Sequence, residues 1–438
     1  MTQKRDLKPQ VYKFLFGFSF IIYFCLMFMP AVGDLTVFDF PWMKYIESVG
    51  FFHMYDHFYI NYPPIYPSYL GLLSYVLDPM IDVFNITGHE LVTNYVFWFY
   101  MHSFGFLCHI VIMYYLAKQF NVRLAVFWAY NPVWIFNFIY GQRDEAYCFL
   151  IMLMIYFLWK QKFHKAFIIL GLISLFKSQF VLLIIPLLCY CIRYIYEKKY
   201  TVRQLLFDIV MSFSIGYIGW LPFTVINKNL FFPFIKYYSF FVDSKGYLPE
   251  NCFFYLFDIS NLALFIIFAI LTIVFFAGMF WFKLDDKVCF GFTWMLYVYF
   301  QYLFLWSHTI RYGICFLVFL WFFKYIQRLK LPKFWKYSYY FYPGIYVTTN
   351  ALALFIGYYL LELTESIANC VDFTTYFDRF DLPNAQISAF LYELYMYFGV
   401  FLFLSCLAFI CFSILYFYLR SHGRHEFMKN FVFAEEKN

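Results

Sequence analysis

Apolar runs close to the ~20 residues needed to cross a bilayer recur along the whole chain, and no other feature constrains its fold as strongly. Only 13% of the 438 residues are charged, about half the share in an average soluble protein, and 64% are hydrophobic. The 67 Phe and 44 Tyr alone exceed what one water-soluble core can bury. The sequence therefore predicts an all-α polytopic membrane protein. Spans are expected at roughly 11–32, 92–117, 123–140, 145–159, 164–176, 178–196, 204–222, 260–282, 288–306, 310–326, 338–361 and 388–419.

Charge sets the orientation. The first span follows Lys4, Arg5, Lys8 and Lys13 with no small-residue cleavage site after it, so it reads as a retained helix. Of the 32 Lys+Arg, all but Lys44, Arg143, Lys177, Lys228, Lys236, Lys245, Arg311 and Arg379 fall on the side of the N-terminus. This positive-inside bias puts both termini in the cytoplasm. It also explains the formal charge of +6 without any nucleic-acid partner. Pro64–Leu77 is apolar, but counting it as a span reverses the bias. It reads as a helix at the outer interface, with a re-entrant segment as the alternative. The first external loop then runs over 33–91. The chain forms one membrane domain, with residues 1–222 as the half that carries this loop and 223–438 as the C-terminal helices.

Most acids lie outside. Asp34 and Asp39 sit where the first span ends, and a carboxylate at the hydrocarbon edge is costly unless solvated or used. Such residues also mark span ends with no further role. A pair of acids can divide labour between base and orienter. A second polar concentration, Gly141-Gln142-Arg143-Asp144-Glu145, forms an external turn after Asn131-Pro132. Lys177 lies between two short apolar segments, and His308 and Arg311 lie at another outer turn. Arg143, Lys177 and Arg311 would thus share one membrane level, which suits a lipid-linked phosphate. His102 and His109 read as core packing, and the eleven cysteines mostly as membrane-buried free thiols. No Cys/His cluster has zinc spacing.

With these pieces in view, the chain resembles the polyprenol-phosphate-sugar-dependent integral membrane glycosyltransferases of GT-C fold, which include protein and lipid mannosyltransferases. GDLTVFDFPWMKYIESVGFFHMY looks like the family's acidic first-loop pattern, and NYPPIY like its Tyr-Pro-Pro segment. NPVWIFNFIYGQRDE is similar to the Asn-Pro…Gly-Gln-x-Asp element, and FKSQF to the Lys-x-Gln element. HTIRYG resembles the His-Glu-Arg-Tyr element, with Thr309-Ile310 between His308 and Arg311.

The resemblance implies a GT-C-like arrangement of about twelve helices and a catalytic acid in the first external loop, Asp34 or Asp39. It implies a donor sugar on polyprenyl phosphate, with Lys177, Arg311, His308 and Arg143 toward its phosphate. Gln142, Asp144, Tyr62 and Gln179 become candidates for the sugar or the acceptor. The acceptor would be a glycan, glycolipid or wall polymer outside the cell. The scheme needs no cofactor and no metal, because the cations are side chains. Asp144 and Glu145 could still hold a divalent ion. Two other classes compete: a flippase for lipid-linked sugars, and a non-catalytic component of a wall-polymer complex. A flippase should carry polar residues deep in its spans. The spans read as nearly charge-free, which favours the enzyme.

Overall fold

A computed structural model describes residues 9–29, 35, 39–56, 60, 62–83, 95–139, 141, 143–177, 183–227, 266 and 270. Asp34, Gln142, Gln179, His308, Arg311 and the expected spans from 260 onward lie outside these residues, apart from 266 and 270. All regular structure among the described residues is helical. They group into two compact units, one ending at Phe149 and one beginning at Leu150.

The first unit opens with α1 (Pro9–Leu26), where proline occupies the first helical position and gives up no hydrogen bond there. α2 (Phe40–Val49) and α3 (Ile65–Val83) follow, then α4 (Tyr95–Gln119). Of the described helices, only α1 and α4 are long and apolar enough to cross a membrane. At 1.5 Å per residue they extend about 27 and about 37 Å. Phe14, Phe18 and Ile21 on α1, and Leu107, Val111 and Tyr114 on α4, are exposed at helical spacing.

The expected span 123–140 is two short helices, α5 (Val122–Ala129) and α6 (Pro132–Ile139). Pro132 has no backbone N–H and disfavours helical geometry at Asn131, so the helix stops and restarts. α5 is capped by Asn121, whose side chain accepts from the Leu124 N–H at 2.8 Å. It packs against α1, where the Tyr23 hydroxyl donates to the Ala129 carbonyl at 3.1 Å. Tyr23, Met27 and Phe138 form a buried cluster between α1 and α6.

The first-loop helices are built into this unit. α2 packs on α3, and Gly71 of α3 sits so close to Phe51 and Ile46 that a Cβ would meet Phe51 at 2.7 Å. α3 in turn lies on α4, with Tyr66 and Tyr69 both 5.0 Å from the Phe104 ring and the Tyr69 hydroxyl 2.6 Å from Ser103 Oγ. α3 also runs past the expected end at Leu77, through Pro79, to Val83.

α7 (Asp144–Trp159) begins in the first unit with two acids in its first turn, which the positive end of the helix favours. It is apolar and buried nearly all round, as Ile151, Met152, Met154 and Ile155 show. The second unit continues with α8 (Phe163–Phe176), α9 (Ile184–Tyr196), α10 (Val202–Ile218) and α11 (Leu221–Ile226). A Thr201–Gln204 capping box starts α10.

α10 is polar inside and apolar outside. Asp208, Ser212 and Gly216 are its buried residues, with Asp208 only 3% exposed, whereas Val210 is 63% exposed. Asp208 also departs from the expectation of nearly charge-free spans, since it lies within 204–222. The α8–α10 seam is made by small residues. A Cβ on Gly171 would meet the Ser212 carbonyl oxygen at 2.6 Å, and one on Gly216 would meet Ser174 Oγ at 2.5 Å. Such residues let helix backbones approach closely where hydrophobic driving force between helices is weak.

Because the atom facing Gly171 is backbone, it cannot rotate away. Gly171→Ala is therefore expected to destabilise the chain by ~1–3 kcal/mol, the range for overpacking. An unchanged melting temperature in detergent would show that the seam tolerates separation.

Candidate functional site

Asp39 immediately precedes α2 with helical backbone angles of φ −68° and ψ −43°, and its carboxylate does not cap its own helix. Oδ2 instead accepts a hydrogen bond from Arg143 Nη2, 104 residues away in sequence. The Asp39 side chain is fully buried and that of Arg143 nearly so. The guanidinium carbon lies 3.3 Å from the centroid of Tyr66 and 5.4 Å from that of Tyr62. Two tyrosine faces thus hold the cation while the carboxylate neutralises it. The Tyr62 carbonyl accepts from the Tyr55 hydroxyl at 2.8 Å, and its ring lies 5.4 Å from that of Trp42. Burial pushes the Tyr66 phenol well above its usual range, against the lowering effect of Arg143. It stays protonated at neutral pH.

A single turn delivers Arg143 to this place. Gly141 adopts φ +64°, a left-handed geometry that glycine tolerates best. A Cβ there would fall within the Leu35 side chain. Leu35 belongs to the same segment as Asp39, so the glycine allows the turn to press on the start of the first loop. The next residues enter α7. Asp144 is buried and accepts from Asn137 Nδ2 at 3.2 Å. Glu145 accepts from Trp128 Nε1 at 2.7 Å and lies 3.0 Å from His109 Nδ1. His109 stacks on Tyr23 at 3.6 Å between centroids.

The first unit thus brings together Asp39, Arg143 and Tyr62 of the residues expected from sequence, and adds Tyr66. That tyrosine follows Tyr62 by four residues in NYPPIY, the one hint the sequence holds of its place. His109 is the packed core residue that was expected, but it also pairs with Glu145. Asp144 and Glu145 each face a hydrogen-bond donor of the protein. Among the described residues, no group of three or more His, Cys, Asp and Glu is placed to hold a metal ion. Lys177 belongs to the second unit. It ends α8, its N–H bonded to the Ile173 carbonyl at 3.0 Å, and it is buried.

Chemically, the Asp39–Arg143 pair is a positioning device. A carboxylate removed from water and bonded to a guanidinium is poorly placed to accept a proton from an incoming hydroxyl. The guanidinium is likewise engaged, between the Asp39 carboxylate and the two tyrosine faces.

Breaking a buried pair from one side leaves a charge uncompensated, at about 3–5 kcal/mol. Asp39→Asn is expected to lower the unfolding free energy by that order. Adding Arg143→Met to Asp39→Asn should recover part of the loss, because no charge is then stranded. Additive losses in this double-mutant cycle, read by thermal unfolding in detergent, would mean the two side chains are not coupled. Gly141→Ala should cost about 1–3 kcal/mol by strain and crowding, and wild-type stability in that variant would remove Gly141 from its role.

Compared with protein-family models and with curated proteins, the chain matches none of them.

Proposed function

We propose that the chain is a multi-pass membrane glycosyltransferase that moves a sugar from polyprenyl phosphate to an acceptor outside the cytoplasmic membrane. One observation carries the reading. The acidic first-loop segment, the Tyr-Pro-Pro segment and the Gly-Gln-Arg-Asp turn, three of the five pieces that resemble GT-C enzymes, meet at Asp39, Tyr62, Tyr66 and Arg143. The first two pieces are neighbours in sequence and the turn is distant from both, and chance polarity at span ends gives no reason for the turn to join them around one buried ion pair.

The membrane setting is supported by the exposed apolar faces of α1 and α4 and by the reversed polarity of α10. Both termini are assigned to the cytoplasm and the first loop to the outer face, following the Lys/Arg bias.

Of the two acids, Asp34 is the better base, because Asp39 is already committed to Arg143. In the proposed reaction Asp34 removes the proton from the acceptor hydroxyl. The oxygen attacks the anomeric carbon, the bond from that carbon to the phosphate oxygen breaks, and polyprenyl phosphate leaves with inversion. Arg143 supplies positive charge to the phosphate when it exchanges Asp39 for the donor. Lys177, His308 and Arg311 carry the same assignment from the resemblance, and Gln142, Gln179, Asp144 and Tyr62 remain assigned to the sugar or the acceptor.

The direct test is release of free polyprenyl phosphate by the purified chain given a polyprenyl-phosphate sugar and a hydroxyl acceptor. General-base help is worth roughly 10²–10⁴-fold. Asp34→Asn should therefore lower turnover by that factor with the melting temperature unchanged, whereas Asp39→Asn should lose stability along with activity. Near-normal turnover in Asp34→Asn removes that residue from the role. Absence of release by the wild-type chain with any lipid-linked sugar tested turns the reading toward a transporter.

A further inference from the structure

The second unit contains a polar centre that sugar transfer at the first loop does not use. The α7–α8 and α9–α10 turns border a cavity of about 700 Å³, within the 300–1,000 Å³ usual for small-ligand sites. Lys162, Lys165, Lys199 and Arg203 line it, with His164 and the buried Asp208 at its wall. Lys199 pairs with Glu197 at 2.8 Å. Lys162, Lys165 and Arg203 are exposed and make no ion pair with the described residues.

Two features set this cavity apart from a solvated charge cluster. First, α8 and α10 both begin at it, Lys162 being the N-terminal flanking residue of α8 and Thr201 that of α10. Helix N-termini carry positive partial charge and favour anions, so Lys162, Lys165 and Arg203 are placed where cations are least favoured. An anion in the cavity relieves that repulsion. Second, the histidine is held in place. His164 Nδ1 lies 2.7 Å from Asp208 Oδ1, its ring stacks on Phe207 at 5.7 Å, and the Tyr200 hydroxyl bonds the other oxygen of Asp208. With Nδ1 engaged, Nε2 is the ring nitrogen available to a ligand. Burial, then Asp208, push the Tyr200 phenol far up, so it remains a proton donor to that carboxylate. Gln161 also lines the cavity; its φ of 56° belongs to the C-terminal cap of α7, where the Gln161 and Lys162 N–H groups bond back to the Leu158 and Phe157 carbonyls.

We propose that this cavity binds a phosphate-bearing anion, held by Lys162, Lys165, Arg203 and His164. Two sources carry that chemistry: the headgroup of an anionic phospholipid and a water-soluble phosphate. By the Lys/Arg bias the cavity faces the cytoplasm. Binding here is therefore separate from the sugar-transfer reading and stands or falls without it.

The full-length chain is tested in two arms. In detergent, inorganic pyrophosphate is titrated calorimetrically. In nanodiscs of phosphatidylcholine, the melting temperature is compared with and without phosphatidylglycerol. Binding in the first arm assigns a soluble phosphate, and stabilisation in the second alone assigns a lipid headgroup. In either case Lys162→Gln with Arg203→Gln should weaken the effect at least about tenfold, the loss of one charge-assisted contact. Lys118→Gln, a basic residue on the same side outside the cavity, should leave it unchanged. If the double variant aggregates, Lys165→Gln alone reads the same site. No effect of either probe on the wild-type chain overturns the proposal, as does an equal loss in Lys118→Gln.

Discussion

The first unit depends on one buried ion pair. Moving a carboxylate and a guanidinium out of water costs several kcal/mol per ion, and only close pairing offsets it. Asp39 and Arg143 make that pairing, and the two tyrosine rings cover the cation. The pair ties the segment before α2 to the turn before α7. α2 and α3 are then held by ordinary packing, Gly71 against Phe51 and Tyr66 against Phe104. Without the pair, α2 and α3 would rest on α4 through aromatic packing and the Tyr69–Ser103 hydrogen bond alone. With it, their position is defined by a contact that has direction as well as strength.

A second constraint is where polarity is allowed. α7 is apolar and buried, α1 is apolar and exposed, and α10 keeps Asp208 and Ser212 inside while Leu206, Val210 and Phe213 face out. Water would reverse that last arrangement. Hydrocarbon would stabilise it, since a buried acid with His164 and Tyr200 as partners costs far less than one turned to lipid. The small residues of the α8–α10 seam fit the same solvent, because helices in lipid associate through close contact rather than by excluding water.

Much of this was legible in the sequence because apolar runs bounded by charge have few alternatives. α1, α4, α7 and α8 fall within a few residues of their expected spans. The break at Asn131-Pro132 was visible as a dipeptide, but the apolarity of 123–140 outweighed it. α3 was expected over the apolar stretch ending at Leu77, and the helix continues through Asp78 and Pro79. The site was less legible. Sequence reading sorts charges by sign, so it offered Asp39 beside Asp34 for the base role and Arg143 for the phosphate and had no means to see that Asp39 and Arg143 meet. It passed over Asp208, since one acid in VRQLLFDIVMSF looks minor until its partners, His164 and Tyr200, lie beside it.

The basic residues at the helix ends raise a related point about what charge patterns mean. A Lys/Arg excess on one side of a membrane is accounted for by insertion alone, which needs only their number and their side. Insertion does not require Lys162, Lys165 and Arg203 to crowd the positive ends of two helices, nor a histidine fixed by a buried acid beside them. Spread along the loops, the same charges would orient the chain equally well and repel each other less. The excess over what orientation demands lies in the clustering, and like charges gathered around a concave site raise the local potential and attract ions of opposite sign.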